Sequence, residues 1–126
     1  MIAADTSSIV AYLSGAAGHD VEVVEAALED RQLCLPPVVL TELLGAPSLP
    51  RDVAALLRAV PLLGVDDGHW ERVGALRARV LAAGRRARLG DALIAQSCLD
   101  HEVRLITRDR DFRHFANAAG LRLLAG

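Results

Sequence analysis

The sequence predicts an α/β fold, a three-layer α/β/α arrangement around a central, mainly parallel sheet of about five short strands. Three observations carry this expectation. The strand-like runs are short and continuously apolar, as strands covered by helices on both faces are. Segments with apolar residues at helical spacing separate them. The 126 residues are 52% hydrophobic and contain no repeat, linker or low-complexity tract, so residues 1–126 are read as a single domain that buries its own core.

Residues 2–4 form the first short strand, followed by a helix over 6–14 and a turn over 15–19. Asp20 stands where it can cap a helix in which Val21, Val24, Ala27 and Leu28 recur at helical spacing, up to about Arg31. Residues 33–35 are a second strand. Pro36 and Pro37 then suit a helix start, and Gly45-Ala46-Pro47 stops that helix after Glu42. Pro50 opens another helix through Val53, Leu56, Leu57 and Val60, and residues 62–65 read as a third strand. Asp66-Asp67-Gly68 starts a longer helix over about 69–83, with Trp70, Val73, Leu76, Val80 and Leu81 expected on its buried face. An Arg-rich loop over 84–90 leads to a helix over 91–102. Strands over 104–107 and 121–124 complete the pattern.

Composition excludes several chemistries. All 14 basic residues are Arg, so a P-loop, a Schiff-base enzyme or an aspartyl-phosphate enzyme would lack its Lys. No apolar run approaches the ~20 residues that span a bilayer. Met1-Ile2-Ala3-Ala4-Asp5 has no basic region typical of a signal peptide, so the chain is expected in the cytoplasm. Cys34 and Cys98 lie within apolar segments and are read as buried, reduced thiols.

The most informative residues are four carboxylates set against apolar runs: Asp5 after residues 1–4, Glu42 within 38–44, Asp91 before 92–95, and Asp109 after 105–107. Singly, each has an ordinary explanation. Asp5 and Asp91 can cap helices, Glu42 can sit on a solvated helix face, and Asp109 and Asp111 can pair with Arg108 and Arg110 at little gain. Together they call for a cation, because an ionised carboxylate near a core costs several kcal/mol unless paired or metal-bound. Acids presented from separate elements around a cleft suit Mg²⁺. Zinc would need Cys or His, and the one such spacing, Cys98 with His101, is read as core and helix surface. His114 follows Asp111 by about one helical turn and is read as surface.

In these motifs the chain resembles the PIN-domain ribonucleases, and most closely in length and order the VapC toxins of toxin–antitoxin pairs. The resemblance rests on Asp5-Thr6-Ser7 after a first strand, Glu42 in a Leu-rich helix, Asp91-Ala92-Leu93-Ile94-Ala95 opening a late helix, and residues 105–112 with Asp109 and Asp111. It implies a PIN-like, Rossmann-related fold and a metal-dependent endoribonuclease. Asp5, Glu42, Asp91 and Asp109 would bind Mg²⁺, with Mn²⁺ able to substitute, and activate water for in-line attack on phosphorus. Thr6 would orient Asp5 or a water. Thr107 and Asp111 would support the site, Asp111 being the less certain ligand of the two final acids.

The charge distribution fits a phosphate-bearing substrate. Residues 72–90 contain no acid but hold Arg72, Arg77, Arg79, Arg85, Arg86 and Arg88, and a second group holds Arg104, Arg108, Arg110 and Arg113. Arg85, Arg86, Arg88, Arg108 and Arg110, closest to Asp91 and Asp109, are the expected RNA contacts. Aromatics are scarce, so recognition of a structured RNA such as tRNA or rRNA by shape is expected over base stacking. The resemblance further implies a second copy of the chain and a small antitoxin as partners, with no membrane. Two other readings remain: a non-catalytic PIN-like RNA-binding or scaffold module, and a metal-dependent DNA nuclease or phosphatase on the same acids.

Overall fold

The computed structural model describes residues 1–124. In chain order the elements are β1 (Ile2–Ala4), α1 (Thr6–Leu13), α2 (His19–Glu29), β2 (Leu33–Cys34), α3 (Pro37–Leu44), α4 (Arg51–Ala59), α5 (His69–Ala82), α6 (Leu89–His101), β3 (Arg104–Ile106) and α7 (Phe112–Ala119). The sheet has the order β2-β1-β3 and both pairings are parallel, with Ile2 opposite Leu33 and Ala4 opposite Ile106. Single parallel bridges, Leu35 to Leu62 and Leu105 to Leu123, extend it at either edge. The α/β expectation is therefore met, while the two outer strands shrink to one bridge each. At one edge the bridge consists of two bonds, Leu35 N–H to Pro61 O and Leu63 N–H to Leu35 O, both at 2.9 Å, and Pro61 has no N–H with which to extend it.

β1 is the central strand, and Ala3 and Ala4 have no exposed surface. Their small side chains let the flanking helices approach closely. Around them pack Ile9 of α1, Val24 of α2, Val39 of α3, Val80 of α5, Ile94 and Cys98 of α6, and Phe112 and Phe115 of α7. Cys34 and Cys98 are free and buried, as expected. The helix α7 is not among the elements anticipated above; it is short, and its two phenylalanines alone carry its buried face. No helix among the described residues is long and apolar enough to cross a membrane.

Two local expectations are corrected. Trp70 and Leu81, assigned to the buried face of α5, are 64% and 48% exposed, and His69 lies inside with Val73, Leu76 and Val80. A polar residue takes the core position because Asp100 of α6 provides a partner 2.9 Å from its Nδ1. The cap of α2 is Gly18 and not Asp20. Asp20 turns inward, accepts from Ser8 Oγ at 2.9 Å, and receives Arg108 Nε and Nη2 at 2.8 and 2.9 Å. Gly18 is required there: its φ is +148°, and a Cβ would meet Asp20 Oδ1 at 2.6 Å and Arg108 Nη2 at 2.9 Å.

Candidate metal centre

The site follows from the register of the central pair. Because Ala4 lies beside Ile106, the next residues, Asp5 and Thr107, emerge together from the carboxyl ends of β1 and β3. Parallel α/β sheets bind their ligands at these ends. The Asp5 backbone N–H closes the ladder on Ile106 O at 3.1 Å. Its side chain then caps α1, accepting the Ser8 N–H at 3.1 Å. Both of its oxygens lie within 2.9 Å of Ser7 Oγ, and Thr107 Oγ1 donates to one of them at 2.6 Å.

Thr107 extends this order to the next acid. Its Oγ1 accepts the Asp109 N–H at 3.0 Å, and Asp109 Oδ1 in turn accepts the Asp111 N–H at 2.9 Å. A continuous set of hydrogen bonds thus runs from buried Asp5 to the loop that carries Asp109 and Asp111. The third approach is from α6, whose first turn contains Asp91. Carboxylate oxygens of Asp91, Asp109 and Asp111 all fall within 4.8 Å of one another.

Electrostatics record the crowding. Burial, then Asp109, Asp111 and Asp5, push the Asp91 pKa up to about 6, against the pull of Arg88. Asp5 is also raised, first by burial and with a contribution from Asp109, although hydrogen bonds from Thr107, Ser8 and Ser7 work in the other direction. The three converging carboxylates offer only hard oxygen donors and repel one another while ionised. That donor set fits a divalent cation such as Mg²⁺ or Mn²⁺.

The expected site residues fall into three groups. Asp91 and Asp109 converge, joined by Asp111, the acid held in less regard from sequence. Asp5 stands behind them, 3% exposed, its oxygens engaged by protein donors. Glu42 is exposed on α3 and accepts from Thr6 Oγ1 at 2.8 Å. Thr6 therefore holds Glu42, and Thr107 is the threonine that holds Asp5. Ser7 and Ser8 were absent from the expected set; two hydroxyl residues in the first turn after an Asp cap were the available signal.

The arginines divide as well. Arg85, Arg86 and Arg88 are exposed between α5 and α6. Arg86 Nη1 lies 4.0 Å from Asp111 Oδ2, and His114 Nε2 3.9 Å from Asp111 Oδ1, so His114 borders the site instead of an open surface. Arg108 is committed elsewhere: besides Asp20 it bonds Ala17 O at 3.2 Å. Its guanidinium pulls the Asp20 pKa down to about 2, and the pair braces α2 against the loop after β3. Arg110 is exposed and lines, with Asp109, Arg113 and His19, an open cleft of about 550 Å³ on that loop.

Comparison with known proteins places the fold in a family. A family model described as PIN domain matches residues 2–118. A solved structure described as a member of the VapBC family of toxin–antitoxin systems, VapBC-5 from Mycobacterium tuberculosis, superposes with a TM-score of 0.67. It is 25% identical, with 99% of this chain and 98% of that chain covered. No match is found among curated protein sequences. With the family model running from the start of β1 into the last turn of α7, the chain belongs to the PIN-domain family, whose members are generally nucleases.

Proposed function

We propose that the chain is a divalent-metal-dependent endoribonuclease that acts as the toxin of a toxin–antitoxin pair in the cytoplasm. The observation that carries this reading is the convergence of Asp91, Asp109 and Asp111 from two separate elements. Those three would hold Mg²⁺ or Mn²⁺, with Asp5 and Glu42 as the further carboxylates of the site. When bound, the cation lowers the pKa of a water and offsets charge on the phosphate. Asp5 acts through Thr107 to fix the backbone of Asp109. Arg86 and Arg88, at the rim, can contact the phosphates of a structured RNA and steer it toward the acids.

The likeness to VapBC-5 supports a cognate antitoxin as the partner. The nuclease reading is tested by incubating the protein with tRNA, rRNA and DNA in Mg²⁺, in Mn²⁺ and in EDTA. Cleavage of RNA in either metal and none in EDTA is expected. Cleavage that survives EDTA removes the metal mechanism, a preference for DNA favours the DNA nuclease, and binding without cleavage favours the scaffold module. Growth arrest on expression, relieved by the neighbouring open reading frame, tests the partner.

Thr107→Val isolates the supporting hydrogen bonds. It removes the donor to Asp5 and the acceptor of the Asp109 N–H while keeping the shape of the side chain. Stability should fall by about 1–2 kcal/mol. Cleavage per folded molecule should fall by roughly 10- to 100-fold, because small misplacements of reacting groups cost that much. Unchanged turnover in this variant would show that the Thr107 bridge does not position Asp109.

A further inference from the structure

The helix α2 brings no carboxylate to the acid cluster, yet Asp20 in its first turn touches both of the segments that carry Asp5 and Asp109. On one side Asp20 Oδ2 accepts from Ser8 Oγ at 2.9 Å, and the Ser8 N–H donates to Asp5 Oδ1 at 3.1 Å. On the other, Arg108 Nε and Nη2 donate to the two Asp20 oxygens at 2.8 and 2.9 Å. Arg108 stands between Thr107 and Asp109 in the chain, and Thr107 Oγ1 donates to Asp5 Oδ2 at 2.6 Å. The contacts therefore close a ring that runs from Asp20 through Ser8, Asp5, Thr107 and Arg108 back to Asp20. The Arg108 N–H spans it, donating to Ser7 Oγ at 3.3 Å.

An exposed ion pair adds little as a rule. This one differs in form and in place. The two-pronged contact fixes orientation as well as distance, Arg108 Nη2 has a further acceptor in Ala17 O at 3.2 Å, and the Asp20 side chain is only 14% exposed. Gly18 leaves the room for it, since a Cβ there would lie 2.6 Å from Asp20 Oδ1 and 2.9 Å from Arg108 Nη2.

Its place matters because the acids repel. The charge of Asp109 disfavours ionisation of both Asp91 and Asp5, so without a cation the loop after β3 is pushed away from the carboxylates it has to meet. The restraint applied next to Asp109 is the Arg108 guanidinium seated on α2. We propose that Asp20 is a positioning residue of the metal centre: acting through Arg108, it keeps Asp109 and Asp111 within reach of Asp91 so that a divalent cation can bind. The role rests on reading the acids as a cation site and does not depend on which nucleic acid is cut.

Titration with Mn²⁺ followed by electron paramagnetic resonance, in which the signal of the free ion is lost on binding, reads the site without any cleavage. Asp20→Asn keeps the shape of the side chain but gives up its charge and one prong of the contact. The Mn²⁺ dissociation constant should rise about 10-fold, the lower end of what loss of a supporting partner costs a metal site. Arg108→Gln should do the same, and the double variant should bind no more weakly than the worse single one, because both changes break one contact. Melting curves in EDTA establish that each variant is folded at the titration temperature. Arg108→Lys, which keeps the charge but cannot make the two-pronged contact, carries the same expectation if Asp20→Asn does not fold.

A brace that served only the fold would lower the melting temperature and leave Mn²⁺ affinity as it was. Wild-type affinity in the folded variants, or losses that add in the double variant, therefore overturns the role of Asp20 while the cation site stands. A wild-type protein that binds no Mn²⁺ overturns the cation site and this role together. Were Arg108 a phosphate ligand held in reserve, Asp20→Asn would free it and tighten RNA binding in EDTA with Mn²⁺ affinity unchanged, and that result also overturns the proposal.

Discussion

Replacing Asp91 with Asn should make the metal-free protein more stable and inactive at once. In the fold this carboxyl has a pKa of about 6, against 3.8 for an ordinary aspartate. A raised carboxylate disfavours the folded state wherever it is ionised: the penalty begins above pH 3.8, grows to about pH 6 and is constant beyond. A displacement of that size corresponds to roughly 3 kcal/mol as an upper limit, and about 1–2 kcal/mol once the half-exposed position is allowed for. Thermal melts in EDTA at pH 7.5 should therefore favour Asp91→Asn, and melts near pH 4 should bring the two proteins together. Mn²⁺ should reverse the order at pH 7.5 by stabilising only the wild type. RNA cleavage should be lost. A variant less stable in EDTA, or one still stabilised by Mn²⁺, would contradict the assignment of Asp91 to a cation site.

Asp100→Ala should have the opposite signature, a large loss of stability with cleavage per folded molecule preserved. Asp100 lies near the end of α6, far along the helix from Asp91, and its side chain is 7% exposed. It accepts from Arg72 Nε at 2.8 Å and Nη2 at 3.0 Å and from Gln96 Nε2 at 2.8 Å, and faces His69 Nδ1 at 2.9 Å. Burial works to raise its pKa, but hydrogen bonds from Arg72, His69 and Gln96 outweigh it and hold the carboxyl well below the usual range. The sign is that of a depressed acid: the stabilisation is complete above pH 4 and is lost as the pH falls toward the folded value. Removing the carboxylate leaves His69 and Gln96 buried without their partner, at a cost of about 3 kcal/mol. Arg72, 41% exposed, can turn to water and keeps the loss from being larger. Urea denaturation at pH 7 measures it, and a loss below about 1 kcal/mol would show that the cluster is not a clamp between α5 and α6.

That clamp also shows where reading the sequence succeeds and where it stops. The run at residues 2–4 and its position before Asp5 were legible, because short apolar strands between helices imply a parallel sheet and parallel sheets present ligands at strand ends. The position of Asp109 just past a late strand was legible in the same way, and that of Asp91 from the apolar helix it opens. Trp70 was not: it stands at helical spacing from Val73, and periodicity alone puts the two on one face. Helical periodicity ranks a tryptophan above a histidine for burial, and only the partner at Asp100, 31 residues away, reverses that ranking. Asp111 was hard to place because its approach depends on a local turn, with its N–H on the Asp109 carboxylate. Arg108 looked like a phosphate ligand because it adjoins Asp109, yet Asp20, 88 residues distant, claims it.

The central position of β1 has a consequence for the order in which the molecule is made. The strand synthesised early in this sequence pairs on one side with β3, and Asp5 waits for a threonine 102 residues later. A chain growing on a ribosome can form α1 to α4 around β1 and β2 while the other edge of β1 stays open. Every nascent intermediate that stops short of Thr107 lacks the hydrogen bonds that order Asp109, and lacks Asp109 and Asp111 themselves. On the nuclease reading, no nascent chain that stops short of Asp111 carries the assembled acid cluster, so the ribosome and the messenger that produce the protein are not exposed to it until the segment after β3 has been made.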